Sequence, residues 1–222
     1  MLQGELADCT FLSACAAIAR ANSEAIRRLI FDNGDGTYDV TLYVSDGFWS
    51  SKSPHVIKVD SRFPSKHGHP AYARQGDAGP RGPELWVMLL EKAFATFQGQ
   101  YEGGSGIESG HDWTGLEALL PQSSSTYHTM FHTQSHMLEQ ITQALREKRP
   151  IVAGTNPILL PSSRERARSL GISSSHAYSV KSTNPGSATI SLQDPRGAVD
   201  LDELSMEDFN HFFTDYVIGP AL

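Results

Sequence analysis

Residues 9–21, Cys-Thr-Phe-Leu-Ser-Ala-Cys-Ala-Ala-Ile-Ala-Arg-Ala, read as a helix that is apolar nearly all round. Such a helix has to be buried on every side, so the fold must be built around this segment. It begins at a thiol. Gln3-Gly4-Glu5-Leu6-Ala7-Asp8 leads into Cys9, and Asp8 is placed to cap the helix. A helix N-terminus carries partial positive charge, which lowers the pKa of a thiol seated there. Cys15 lacks that position and reads as a core thiol. On one helix the two cysteines lie roughly 9 Å apart along the axis, beyond the approximately 7 Å limit for a disulfide. Both are expected to be free.

Far downstream, His176-Ala177-Tyr178-Ser179-Val180 places a histidine at the start of an apolar strand. Asp194-Pro195-Arg196-Gly197 follows at the end of the next strand. Cysteine, histidine and carboxylate are the parts of a thiol nucleophile, its base and an orienting acceptor. Gln3, just upstream of Cys9, can donate side-chain N–H groups to a developing oxyanion. The bland readings are a core cysteine, one histidine among nine and a turn aspartate. The four residues taken together favour an enzyme.

The rest of the chain supplies a mixed α+β pattern. Asp32-Asn33-Gly34-Asp35-Gly36 is a turn after a short helix at 23–30. Val40, Leu42 and Val44 alternate as a strand, and Val56, Ile57 and Val59 mark its return. Residues 61–82 read as a Gly/Pro-rich loop. Pro83 suits a first helical position, and Leu85, Trp86, Leu89, Leu90, Ala93, Phe94 and Phe97 recur at helical spacing to about 98. Short helical spacing returns at 113–120 and again at 135–148. Strands are expected at 150–154, at the His176 segment, at 188–193 and at 215–219, with a helix over 205–213. Residues 155–175 read as a long loop with one exposed turn at 164–169. The first half is helix-rich and the second strand-rich. A helical lobe over about 1–120, facing a β lobe over 121–222, sets Cys9 and His176 on opposite walls of one cleft.

Charge and composition exclude several classes. The formal charge is −7, without the basic excess that phosphate contacts need, so no nucleic-acid partner is expected. No apolar run reaches the length of a membrane span and no signal-peptide pattern is present, so no membrane partner is expected. His128, His132 and His136 would form a metal ladder only on one continuous helix, which Thr126–Thr133 disfavours, and the Asp32–Asp39 cluster lacks the acidic spacing of an EF-hand loop. No metal or cofactor is expected. Arg164, Arg166 and Arg168 read as a solvated face. Only Met1 and Leu2 precede Gln3, so the chain is expected to be excised or trimmed from something longer.

Several blocks, in order, resemble the calpain family of papain-fold cysteine proteases, in particular its small bacterial members. Gln3-Gly4-x-Leu6-x-Asp8-Cys9-x-Phe11-Leu12 is similar to the family's Gln-Gly-x-Leu-Gly-Asp-Cys-Trp-Leu-Leu. Leu85-Trp86-Val87-Met88-Leu89-Leu90-Glu91-Lys92-Ala93-Phe94-Ala95 resembles its Leu-Trp-x-x-Leu-Leu-Glu-Lys-Ala-Tyr-Ala helix. Val59-Asp60-Ser61-Arg62-Phe63-Pro64 resembles its Val-Asp-Asp-Arg-Leu-Pro, and His176–Val180 matches its histidine motif. The resemblance implies a papain-like two-lobed fold in a single core over 1–222. It implies Cys9 as nucleophile, His176 as base, Gln3 as oxyanion donor and Asp194 as orienter. Gly103 and Gly104 fall near the family's glycine-rich wall of the substrate cleft. The implied activity is a cysteine endopeptidase acting on protein or peptide, as the catalytic module of a bacterial effector or toxin with an inhibitor or immunity protein as partner. The alternatives are a deamidase or transglutaminase on protein glutamine, and an inactive binding module. Two departures stand out. The family's Asn-Pro-Trp-Gly is here Asp194-Pro195-Arg196-Gly197, and Thr10 replaces the tryptophan beside the nucleophile. An aspartate favours imidazolium more than an amide does, and the missing ring is expected to unshield its hydrogen bond.

Overall fold

The computed structural model describes residues 2–45, 52–74, 85–99, 101, 114–155, 157, 160–197 and 199–222. The apolar segment forms α1 (Cys9–Ala21), and α2 (Ser23–Arg27) follows, capped by the Asn22 side chain on the Glu24 N–H. A short strand, β1 (Ile30–Asp32), then opens an antiparallel sheet with β2 (Thr37–Ser45) and β3 (Lys52–Asp60). The acidic cluster is the β1–β2 turn: Asp32 accepts from the Gly34 N–H (2.8 Å) and Asp35 from the Thr37 N–H (2.9 Å). The expected loop at 61–82 contains a two-residue hairpin, β4 (Ser65–Lys66) and β5 (His69–Pro70).

Next come α3 (Trp86–Gln98) and α4 (Thr114–Leu119). Pro83 lies outside the described residues. Two lysines tie these helices to β3. The Lys92 ammonium on α3 reaches Asp60 at the strand's end (2.5 Å). Lys52, its side chain 3% exposed, donates to the carbonyls of Glu117 (2.9 Å) and Leu120 (3.1 Å), closing the end of α4. Those carbonyls are otherwise orphaned at a helix C-terminus.

The second half holds β6 (Ser125–His128), a 3₁₀ turn at Thr129–Phe131, α5 (Gln134–Arg146), β7 (Ile151–Thr155), α6 (Pro161–Ser169), β8 (Ala177–Asn184), β9 (Thr189–Gln193), β10 (Leu201–Ser205), α7 (Met206–Phe212) and β11 (Phe213–Ile218). Its six-stranded sheet is antiparallel throughout, in the order β10-β9-β8-β7-β11-β6. Where one exposed turn was expected, α6 forms a full helix. Pro161 at its first position starts it, and Arg166 holds it against Asp208 of α7 (2.7 Å).

The sheet explains why α1 has no polar face. Successive strand residues point to opposite sides. Val152, Ala177 and Val217 face one way and join Phe11, Leu12, Ile18, Leu90, Phe94 and Leu116 in one core. Ile151, Tyr178, Tyr216 and Ile218 face the other way, with Met137, Ile141 and Phe209. The first helix is therefore enclosed between α3, α4 and β2 on one side and the central strands β7, β8 and β11 on the other. The Phe11 and Phe94 rings stack with centroids 4.5 Å apart. Gly115 lets α4 approach: a Cβ there would lie 2.8 Å from the Ala14 Cβ. Leu12 is fully buried in this layer, and truncating such a leucine to alanine costs about 2–5 kcal/mol.

Candidate active site

The start of β8 positions His176. Ser175 takes a left-handed φ of 49°, turning the loop into the strand. The His176 N–H then donates to Thr155 Oγ1 (3.0 Å) and its carbonyl accepts the Thr155 N–H (2.9 Å), so the backbone is fixed from β7. The Tyr178 ring packs edge-on to the imidazole at 4.8 Å. The Tyr178 hydroxyl accepts the N–H of Ser173 (2.9 Å), fastening the preceding loop.

Asp194 follows directly on β9. The β8–β9 register pairs Ser179 with Gln193, which carries Asp194 alongside the beginning of β8. Its Oδ1 lies 2.9 Å from His176 Nε2. A carboxylate only accepts, so Nε2 bears the proton and Nδ1 is left as the other, accepting nitrogen. The two side chains are 7% and 2% exposed, so the pair is dry although the Asp194-Pro195 motif does not continue with a tryptophan. Arg196 stands in that place. Its Nη2 donates to Asp194 Oδ2 (2.6 Å), its Nε to Oδ1 (3.1 Å) and its backbone N–H to Oδ1 (2.9 Å). Burial alone would raise the Asp194 carboxyl; the hydrogen bonds from His176 and Arg196 outweigh it and hold the group well below the usual carboxylate range.

The first helix runs along β8 in the same direction. Ser13 Oγ donates to the Ala177 carbonyl (3.0 Å), and further on Arg20 donates to Ser179 Oγ (3.3 Å) and the Val180 carbonyl (3.4 Å). Cys9 lies one turn before Ser13 on the same face of α1. The field of Cys9 also reaches the Arg196 guanidinium. Cys9 is partly exposed and Cys15 buried, and neither forms a disulfide. Burial, then the charges of Asp8 and Glu91, push the Cys15 thiol well up.

Asp8 sits at the N-cap position, but its carboxylate does not cap the helix as expected. It is fully buried, and its charge bears on Glu91 of α3 instead. Glu91 in turn accepts the Ala73 N–H with both oxygens (2.9 and 3.1 Å). Burial, then the charge of Asp8, raises its carboxyl from 4.5 to about 9.

Gln3 threads between two segments. Its N–H donates to the Pro195 carbonyl (2.8 Å), one residue beyond Asp194. Leu2 and Arg74 exchange backbone bonds of 2.9 and 2.7 Å, and the Glu5 N–H donates to Ala71 (3.0 Å). Gly4 is required here, because a Cβ would stand 2.1 Å from the Tyr72 carbonyl oxygen. The Gln3 side-chain Nε2 donates to the Leu6 carbonyl (2.6 Å), which turns the amide back towards the start of α1. Gly103 and Gly104 lie outside the described residues. Among the described residues no group of three or more His, Cys, Asp and Glu could hold a metal; the His132 and His136 rings instead stack at 5.3 Å.

A profile for calpain family cysteine proteases matches residues 1–202. The chain belongs to the calpain family of cysteine proteases. Among curated relatives it is similar to calpain-9 of Mus musculus, 33% identical over 183 residues, which is 80% of this chain and 24% of that protein. It is also similar to the calpain-2 catalytic subunit of Gallus gallus, 28% identical over 181 residues, again 80% of this chain and 24% of that protein. The calpain-family chain thus spans about a quarter of the length of these relatives. Its α+β architecture accords with membership. Two residues that sequence reasoning passed over belong to this site's surroundings. Arg196 was legible as a cation two residues from Asp194, and Glu91 as an acid inside an apolar helical stripe.

Proposed function

We propose that this chain is the protease core of a cysteine endopeptidase, with a papain-like arrangement of a helical and a β-rich lobe meeting at Cys9 and His176. The observation that carries the reading is the buried hydrogen bond between His176 Nε2 and Asp194 Oδ1, supported by the Ser13–Ala177 bond that lays α1 along the start of β8, one helical turn after Cys9. Nδ1 takes the thiol proton, giving thiolate and imidazolium. The sulfur attacks the peptide carbonyl carbon. The oxyanion that forms is held by the Cys9 N–H at the helix start and by the second Nε2–H of Gln3. As the C–N bond breaks, His176 protonates the leaving amine and a thioester remains. Water then attacks the thioester, His176 takes its proton and the thiolate leaves. The substrate class is protein or peptide, and Gly103 and Gly104 would line its path. The effector or toxin role, with an inhibitor or immunity partner, is the outer part of the same proposal.

The test is incubation with an unfolded protein substrate and mass spectrometry of the products, with Cys9→Ala as the control. New internal termini that vanish in the variant support the reading. Ammonia release from glutamine without new termini would replace it with a deamidase. Identical traces for both proteins would leave a binding module.

A further inference from the structure

We propose that Arg196 is a positioning residue of this reaction: it cancels the charge of Asp194 while keeping it ionised, so that Asp194 orients His176 without trapping the proton on it. The inference rests on the Cys9–His176–Asp194 reading above.

Asp194 is nearly inaccessible, yet it receives four donors, three of them from Arg196. The Nε–Nη2 edge of the guanidinium meets both carboxylate oxygens, the bidentate geometry that gives the strongest and most directional ion pairs. An uncompensated buried carboxylate at 2.9 Å would favour imidazolium strongly. That opposes the reaction, because His176 must give its proton to the leaving amine and later take one from water. A cation on the far side of the carboxylate removes most of that bias without breaking the orienting bond. Guanidinium suits the task because it stays charged at any working pH.

Arg196 braces the ring from a second direction. Its Nη2 also donates to Ser173 Oγ, and the Ser173 N–H is held by Tyr178, whose ring packs on His176. The other titratable or charged groups facing this cluster among the described residues are Cys9 from α1, Tyr178 from β8, and Asp200, which accepts the Asp194 N–H (3.3 Å) and is itself paired with Lys181 (2.9 Å). Asp200 is thereby compensated, so Arg196 is the cation that faces Asp194 directly.

The experiment compares the pH profile of kcat/KM, and of Cys9 alkylation, for the wild type, Arg196→Met, Arg196→Lys and Arg196→Met with Asp194→Asn. With the cation gone, imidazolium is favoured and thiolate disfavoured. Both limbs of the profile should move to higher pH in Arg196→Met, by about one unit, with kcat falling more than KM rises. Arg196→Lys should restore the limbs most of the way. Adding Asp194→Asn to Arg196→Met should bring the alkaline limb back down. A profile in Arg196→Met that is scaled in height but unmoved would overturn the proposal, leaving a structural brace only. If Arg196→Met does not fold, the lysine variant decides: limbs in the wild-type position with a reduced rate support charge compensation, and shifted limbs contradict it. Failure of the underlying triad reading would show separately, as wild-type alkylation indifferent to His176→Ala.

Discussion

Asp194 and Glu91 are both acids buried within reach of the Cys9 helix, and they reach opposite states. Asp194 meets Arg196 and the His176 N–H, which hold it ionised against the upward push of burial. Glu91 meets a backbone amide and a second acid, Asp8, and keeps its proton to about pH 9. Burial is common to both, so it does not decide. The difference is the sign of the charge each acid faces. The first arrangement offers an orienting acceptor to a base. The second is a neutral strut, joining the start of α1, the middle of α3 and the 71–74 segment that backs Gln3.

The largest break in this comparison is to remove the acid that has the cation. Asp194→Ala should lower kcat/KM about 10³- to 10⁴-fold by freeing the ring of His176, with the fold retained by circular dichroism. Removing the other acid should act on stability first. Glu91→Ala leaves the Ala73 N–H without its acceptor in a dry site and opens a cavity, at a cost of about 2–4 kcal/mol in urea unfolding. Glu91→Gln keeps an acceptor for the Ala73 N–H and adds no charge beside Asp8, and should stay within about 1 kcal/mol of wild type near neutral pH.

The two acids should also leave opposite marks on the pH dependence of folding. Glu91 keeps a proton that the unfolded chain gives up near 4.5, so its contribution to stability falls as pH rises from 4.5 to about 9. Glu91→Gln should flatten that slope. Asp194 has a depressed value, so its contribution is full above 3.8 and is lost as pH falls through the folded value. Asp194→Asn should remove that acid-side loss and leave the alkaline slope unchanged. Slopes that respond alike to the two substitutions would undo the comparison. The smallest effect on the site itself belongs to Cys15→Ser, which buries a hydroxyl in place of a thiol. It should cost about 1–3 kcal/mol of stability and leave the rate of Cys9 alkylation unchanged.

Much of the scaffold was legible because it follows periodicity. The all-round apolar pattern of 9–21 required burial on both sides, and α1 is enclosed between helices and sheet. Alternation gave β2 and helical spacing gave α3 and α5. Short elements that depend on partners were not legible. Nothing in Ile30–Asp32 or Leu201–Ser205 marks a strand until β2 and β9 lie beside them. Pro161 and the Arg166–Asp208 ion pair make α6 a helix where local composition favoured loop. At the site, residue types and order pointed to Gln3, Cys9, His176 and Asp194, and the fold brings the segments bearing them together. The clamp of Arg196 and the turn of Asp8 towards Glu91 depend on side-chain directions, which linear order does not carry.

The most direct test of the account is the alkylation rate of Cys9 by iodoacetamide against pH, in a Cys15→Ser background, with and without His176→Ala. A working Cys9–His176 pair gives fast alkylation that persists well below the free-thiol pKa of about 8.5 and disappears in the His176 variant. A slow rate that rises only towards that value, identically in both proteins, would contradict it.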